Sequence, residues 1–321
     1  MRASSSLAWP EPLPLAATQR LASALARARP ELQAWLAAEG LGNAFADLLE
    51  PLYVPLAMWL AARRQRLQRP LIAGIAGAQG SGKSSLAALL ALILQRGLGL
   101  RAVTLSLDDL YLPRDERARL ACEVHPLLQT RGLPGSHEVA LGLRVLDSLC
   151  NAAAGEIVAC PRFDKARDDR VPEAEWPSWH GPTDVVLFEG WCLGAEPEPT
   201  STLTEPLNAF ERERDPDASF RRQVDAQLAG SYRALFERVD VLVFLAVPDM
   251  ASVRRWRGEQ ELTLAARAQN APGLMDSLEL EQFVQRFERI SLRMLAQTPS
   301  RANVVLRLGP DHRCTGIELR D

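Results

Sequence analysis

The chain predicts an α/β fold, a parallel sheet with helices packed on both faces. Three observations predict it. Short, nearly continuous apolar runs alternate with segments of helical composition, the pattern of strands buried on both sides. The first run, Leu71–Ala76, leads straight into Gly77-Ala78-Gln79-Gly80-Ser81-Gly82-Lys83-Ser84-Ser85, the full G-x-x-x-x-G-K-[ST] spacing of a phosphate-binding loop. Two later runs end on acids, at Asp108-Asp109 and at Glu189, where an open α/β sheet presents its ligand.

The elements follow in order. Residues 1–69 read as a helical extension, with helices over Ala16–Ala28, Pro30–Ala38 and Ala44–Leu67. The last ends in Arg63-Arg64-Gln65-Arg66, and basic residues suit a helix C-terminus; a solvated helix end explains them better than a ligand patch. Pro70 marks entry to the first strand, so residues 70–321 form the nucleotide-binding domain. Lys83–Gln95 follows the loop as a helix. Strands are expected at Arg101–Leu107, Ile157–Cys160, Asp184–Phe188, Asp240–Val247 and, as the last, Asn303–Leu308. Helices are expected at Ser136–Ala153, Leu207–Glu213, Phe220–Arg238, Pro248–Asn270 and Ser277–Gln297. Two long loops, Ala166–Thr183 and Leu193–Pro206, follow strand candidates. Loops of that length in a compact domain are usually functional or mobile.

Composition bounds the function. The 321 residues are 47% hydrophobic and 24% charged, with net charge −3 and a pI of about 5.9. That is ordinary globular composition, without the basic surplus of a general nucleic-acid binder. The apolar stretches around Val54–Ala61 and Ser85–Leu94 are too short or too punctuated to span a bilayer. The N-terminus lacks the apolar core of a signal peptide. Five scattered cysteines without a C-x-x-C fit a reducing cytosol, and four histidines show no ligand spacing, so a cytoplasmic chain with no structural metal is expected.

The loop residues match the chemistry of phosphate. Glycines let backbone N–H groups curl around an anion, and the following helix points its positive end at the same place. Lys83 adds a charge beside the β- and γ-phosphates, and the Ser84 hydroxyl is placed to ligate Mg²⁺. Asp108 and Asp109 could cap the next helix, or one could accept a substrate hydroxyl proton close to Mg²⁺. Glu189 could be a solvated strand end; beside Gly190 it is better read as a Mg²⁺ carboxylate, acting through water. Arg254 and Arg257 stand three apart on one helix face after a core strand. They are candidates to close over the triphosphate, against the alternative of a charged surface paired with Glu259 and Glu261.

The phosphate loop, Ser106-Leu-Asp-Asp-Leu-Tyr111 and Phe188-Glu-Gly-Trp191 together resemble the phosphoribulokinase, uridine kinase and pantothenate kinase group of P-loop kinases. Glu123-Val-His125-Pro-Leu-Leu-Gln-Thr-Arg131-Gly-Leu-Pro-Gly-Ser-His137, Pro161-Arg162-Phe-Asp164-Lys165 and Leu228-Ala-Gly-Ser-Tyr232 narrow the resemblance to D-glycerate 3-kinases of the plant and bacterial type, over about residues 70–300. Leu110 departs from the family pattern, which places an aromatic there. The resemblance implies a P-loop NTPase-type sheet, ATP, Mg²⁺ and in-line phosphoryl transfer to a glycerate-like hydroxy acid. It aligns Asp108, rather than Asp109, with the family's acidic position, and makes Tyr111, His125, Arg131, Arg162, Asp164 and Lys165 candidates for the acceptor pocket. Arginine suits the acceptor's carboxylate because its planar fork engages both oxygens. The implied partner is a small molecule, not nucleic acid or membrane, with the chain a monomer or small homo-oligomer. Two alternatives stand beside this: a kinase of the same fold acting on a nucleoside or pantothenate-like acceptor, and an NTP-hydrolysing switch, which would need no acceptor pocket.

Overall fold

The computed structural model describes residues 7, 9–11, 31, 33–35, 47–267 and 277–320. A π turn at Leu49–Tyr53 leads into α1 (Val54–Leu67), then β1 (Leu71–Gly77), α2 (Lys83–Leu92) and β2 (Ala102–Ser106). There follow α3 (Arg114–Glu123), α4 (Val139–Asn151), β3 (Ile157–Ala159), β4 (Phe163–Asp164), β5 (Asp169–Arg170), β6 (Ser178–His180) and β7 (Val185–Gly190). The chain continues through α5 (Ala209–Arg214), α6 (Ser219–Ala229), α7 (Ser231–Phe236), β8 (Val241–Ala246), α8 (Met250–Arg267), α9 (Ser277–Gln297), β9 (Val304–Leu308) and β10 (Cys314–Leu319).

The main sheet has the order β10-β9-β8-β1-β7-β2. Its first five strands in sequence are parallel, and β10 closes the β9 edge antiparallel. The alternation of the strands assigns their two faces. On β7, Val185 and Leu187 join one core with Leu71, Ala73 and Ile75 of β1, covered by α1 and α2. Val186 and Phe188 join the opposite core with Ile72 and Ala76, covered by α4, α6, α7 and α9. Apolar residues at every position of β1 and most of β7 therefore face protein on both sides, which is why these strands read as unbroken apolar runs. The helix before Pro70 is not a loose appendage: Leu56, Ala57 and Leu60 of α1 are fully buried in the β1 core.

The structure corrects several boundaries. Asn303–Leu308 is not the last strand, because β10 follows it; its half-exposed residues lack the apolar run that marks an inner strand. The expected Phe220–Arg238 helix is two, α6 and α7, broken where Gly230 takes φ −104° and ψ −108°. Ile157–Cys160 lies outside the main sheet: β3 pairs antiparallel with β6. The Ala166–Thr183 stretch is accordingly not structureless, since it supplies β5 and β6 of two small hairpins. Helix α3 went unexpected, its buried Arg117 being the reverse of an apolar signal. The Ala16–Ala28 helix and most of Pro30–Ala38 lie outside the described residues, as do residues 268–270 of the expected Pro248–Asn270 helix.

Candidate active site

Because β7 lies between β1 and β2, the phosphate loop, Glu189 and Asp108 leave the sheet side by side at its carboxyl edge. Register makes this concrete: Glu189 stands beside Ile75 of β1 and Ser106 of β2. The loop turns at Gly80 (φ 77°) and Gly82 (φ 88°), a backbone region that side chains disfavour. A Cβ at Gly80 would also come within 3.1 Å of Trp256 Cβ, so the loop rests on the first turns of α8. Gly82 caps α2 without any side-chain hydrogen bond, leaving the helix's first N–H groups for an anion. Lys83 Nζ donates to Ala78 O at 2.9 Å, curled back over its own loop. Burial pushes the Lys83 ammonium down, against the opposing pull of Glu189 and Asp108. Gln79 Nε2 and Ser81 Oγ are buried without a hydrogen-bond partner among the described residues, as expected of a cradle built for a ligand.

Glu189 Oε1 accepts from Ser84 Oγ at 3.0 Å and from Ser106 Oγ at 2.7 Å. The Ser84 and Ser106 hydroxyls and a carboxylate form an oxygen-only set, which suits Mg²⁺. Among the described residues no group of three or more His, Cys, Asp or Glu could hold a metal. A Mg²⁺ bound by one or two protein oxygens plus substrate phosphates needs no such group.

The adjacent carboxyls have opposite environments. Asp108 Oδ1 accepts from the Tyr111 hydroxyl at 3.0 Å and Oδ2 from Lys165 Nζ at 2.6 Å. Burial favours its neutral form, but Lys165 and Tyr111 outweigh it and hold the carboxyl below its ordinary range. Asp109 turns inward, accepting from Phe163 N at 3.0 Å with Arg162 at 3.4 Å; burial pushes it up. Asp108 is thus the ionised, accessible member, and Asp109 ties β4 to the end of β2.

The acceptor candidates divide. Lys165 and Tyr111 meet at Asp108. Arg162 lies on Asp109. Arg131 is paired with Asp168, also reaching Lys165 O at 3.3 Å, and its guanidinium lies over the Phe163 ring. Asp168 in turn binds the fully buried Arg117 at 3.0 Å. His125 Nδ1 accepts from Leu127 N at 3.1 Å, and its ring stacks on Phe220. Asp164 caps its own turn through Ala166 N at 2.9 Å. Arg254 and Arg257 both face α9: Arg254 pairs with Glu281 and Glu288, each at 3.0 Å, and Arg257 lies over the Phe283 ring.

Three residues at the site carried no role in the sequence. Ser106 opens the Ser-Leu-Asp-Asp-Leu-Tyr segment and serves Glu189. His137 stacks on Tyr111 at 4.4 Å, and its Nδ1 lies 2.5 Å from the Tyr232 hydroxyl. Tyr232 accepts from Gly135 N, so its proton goes to Nδ1 of a neutral imidazole. Burial keeps that imidazole neutral, with its pKa pushed down to about 3. Both residues lie in segments that carried the family resemblance, which was the available signal.

Fold and site define a class, the P-loop phosphotransferases. No family model matches the chain. It is 36% identical over 226 residues to an uncharacterized kinase, mug58, of Schizosaccharomyces pombe, covering 68% of this chain and 79% of that one. It is 30% identical over 251 residues to the chloroplastic D-glycerate 3-kinase of Arabidopsis thaliana, covering 73% of this chain and 52% of the plant enzyme, about half its length. Among solved structures, a D-glycerate 3-kinase from Cryptococcus neoformans superposes with TM-score 0.70 at 26% identity, over 83% of this chain and 97% of that one. The YGR205w protein shares the fold, with TM-score 0.62 at 24% identity over 78% of this chain and 90% of that one. The chain belongs to this family of ATP-dependent small-molecule kinases, to which the D-glycerate 3-kinases are related.

Proposed function

We propose that the chain transfers the γ-phosphoryl group of ATP to a hydroxyl of D-glycerate, giving 3-phosphoglycerate. The observation that carries this reading is Asp108, an ionised carboxylate between Tyr111 and Lys165, one strand removed from Glu189 and two from the phosphate loop. In this reading residues 77–85 cradle the phosphates and Lys83 uncurls from Ala78 O onto them. Ser84 and Glu189, with Asp108 close by, would hold Mg²⁺, which would supply charge neutralisation for the transferring phosphoryl group. Asp108 orients the acceptor hydroxyl and takes its proton. Arg131, Arg162 and Lys165 supply cations for the acceptor's carboxylate, and Tyr111, His125 and Asp164 its polar contacts. Arg254 and Arg257 neutralise phosphoryl charge from α8, whose first turns already touch the loop. Residues 70–321 carry this machinery, with residues 1–69 a helical extension, in a cytoplasmic monomer or small homo-oligomer.

The test is a screen of short hydroxy acids and nucleosides as acceptors with ATP and Mg²⁺, with the product identified by NMR. D-glycerate is expected to stimulate ATP consumption and to yield the 3-phosphate. Stimulation by a nucleoside alone would replace the acceptor, and ATP hydrolysis indifferent to every acceptor would indicate a switch.

A further inference from the structure

A second cavity lies away from the phosphate loop, enclosed by α5, α6, α9 and the 193–206 segment. Its volume is about 40 Å³, room for roughly three waters or one small oxyanion. Four arginines line it, and three of them have carboxylate partners. Arg289 holds Glu211 with Nε and Nη2, both at 2.7 Å. Arg221 reaches Glu211 at 3.3 Å and Asp215 at 3.4 Å. Arg293 lies 3.8 Å from Glu198 and 3.9 Å from Asp225.

Arg286 is the exception. Among the described residues no carboxylate lies within ion-pair distance of it, and its recorded contact is the face of the Phe210 ring at 5.2 Å. Every acid lining the cavity is committed to another arginine. A second donor is also unused: Arg221 Nη2 is buried without a hydrogen-bond partner among the described residues. A half-buried guanidinium with no counter-charge is costly, and a protein ordinarily pairs it. Burial and the nearby Arg214 guanidinium push the Arg286 pKa down to about 10, which leaves it charged at neutral pH. An anion entering the cavity would supply the partner that Arg286 lacks.

We propose that this cavity is a binding site for a small oxyanion, a carboxylate or phosphate group, with Arg286 as its principal cation. The site is distinct from the catalytic centre. None of Lys83, Asp108, Lys165 or Glu189 lines it, so the anion held there is not the phosphoryl acceptor. It nevertheless adjoins that centre. Leu133 of the cavity wall belongs to the loop that carries Arg131 and His137, and Phe220 stacks on His125. Phe287, next to Arg286, packs on Trp191, two residues beyond Glu189.

The inference does not rest on the acceptor assigned above, and its test reads binding rather than turnover. The full chain is saturated with a non-hydrolysable ATP analogue and Mg²⁺, so that the phosphate loop is filled. Its melting temperature is then followed against inorganic phosphate and, separately, against acetate at constant ionic strength. A saturable rise is expected in the wild type, with a midpoint at least about tenfold weaker in Arg286→Gln and Arg286→Met. A response to phosphate alone identifies a phosphate-bearing ligand; a response to both shows that a carboxylate suffices. In buffer free of both anions, Arg286→Met should melt no lower than wild type, because it removes an unpaired charge. Equal responses in wild type and variants, or no saturable response, overturn the proposal. So does a large loss of stability in both variants without anion, which would make Arg286 structural. A rise in acceptor KM parallel to lost anion binding would place the cavity in the acceptor pocket and overturn its separateness.

Discussion

Two charged regions of this molecule use the same residue types for opposite ends. Between α5, α6 and α9, Arg289 and Glu211 meet through two short bonds, and Arg221, Asp215 and Glu198 surround them. Each of these five charges, unlike Arg286 beside them, has more than one partner, so the cluster behaves as a fastening. At the carboxyl edge of the sheet, Lys83 has one backbone acceptor, Asp108 one lysine and one hydroxyl, and Glu189 two hydroxyls. Those charges are held in place yet incompletely neutralised, which is the condition for acting on a ligand's charge. The number of partners, rather than the identity of the side chains, separates scaffold from site.

Substitutions can break this distinction. The largest effect is expected from Asp108→Asn, which should lower kcat by about 10²–10⁴-fold with nucleotide affinity little changed, while Asp109→Asn leaves turnover largely intact. If Asp109 proved the sensitive one, the roles assigned from their environments would be reversed. Lys83→Ala follows, at about 10²–10³ in turnover under saturating ATP, with the melting temperature hardly moved. Near-normal turnover would remove the loop from the chemistry. In the other region, Glu211→Ala takes a partner from the buried Arg221 and the half-buried Arg289 and should cost about 3–5 kcal/mol of stability, read by denaturant unfolding, with kcat per folded molecule unchanged. A loss of kcat at unchanged stability would erase the contrast between the two regions.

Two smaller effects sharpen it through pH. Lys165 holds the Asp108 carboxyl down against burial, so Lys165→Met should let that pKa rise. The acid limb of kcat/KM, which reports the loss of the carboxylate, then moves to higher pH; an unmoved limb would detach Lys165 from the base. His137 is buried neutral, with a folded pKa of about 3 below the unfolded value of about 6.5. Between those values the unfolded chain carries a proton that the folded chain lacks, so stability falls as pH falls, with a slope of about 1.4 kcal/mol per pH unit from this group. His137→Phe should flatten the stability profile in that window relative to wild type. An unchanged slope would mean that His137 takes up its proton in the fold.

What the sequence by itself determined is whatever rests on neighbours along the chain. The strand, glycine loop and helix of residues 71–92 are local, because apolar run, turn glycines and helix formers each act over a few residues. Asp108 and Glu189 were legible because strands end where apolar runs end. Tertiary structure alone decided which partners these groups found. Ser106 meets Glu189 across 83 residues and His137 meets Tyr232 across 95, separations that no local period encodes. It also decided that Arg131 faces Asp168, that α1 shares the core of β1, and that β3 leaves the main sheet for β6. Arg286 shows the limit most plainly: on the helix it is one arginine among several, and the chain order of α9 cannot reveal that its neighbours' carboxylates are already taken. Charge pairing depends on distances set by packing between helices, and those distances exist only once the chain has folded.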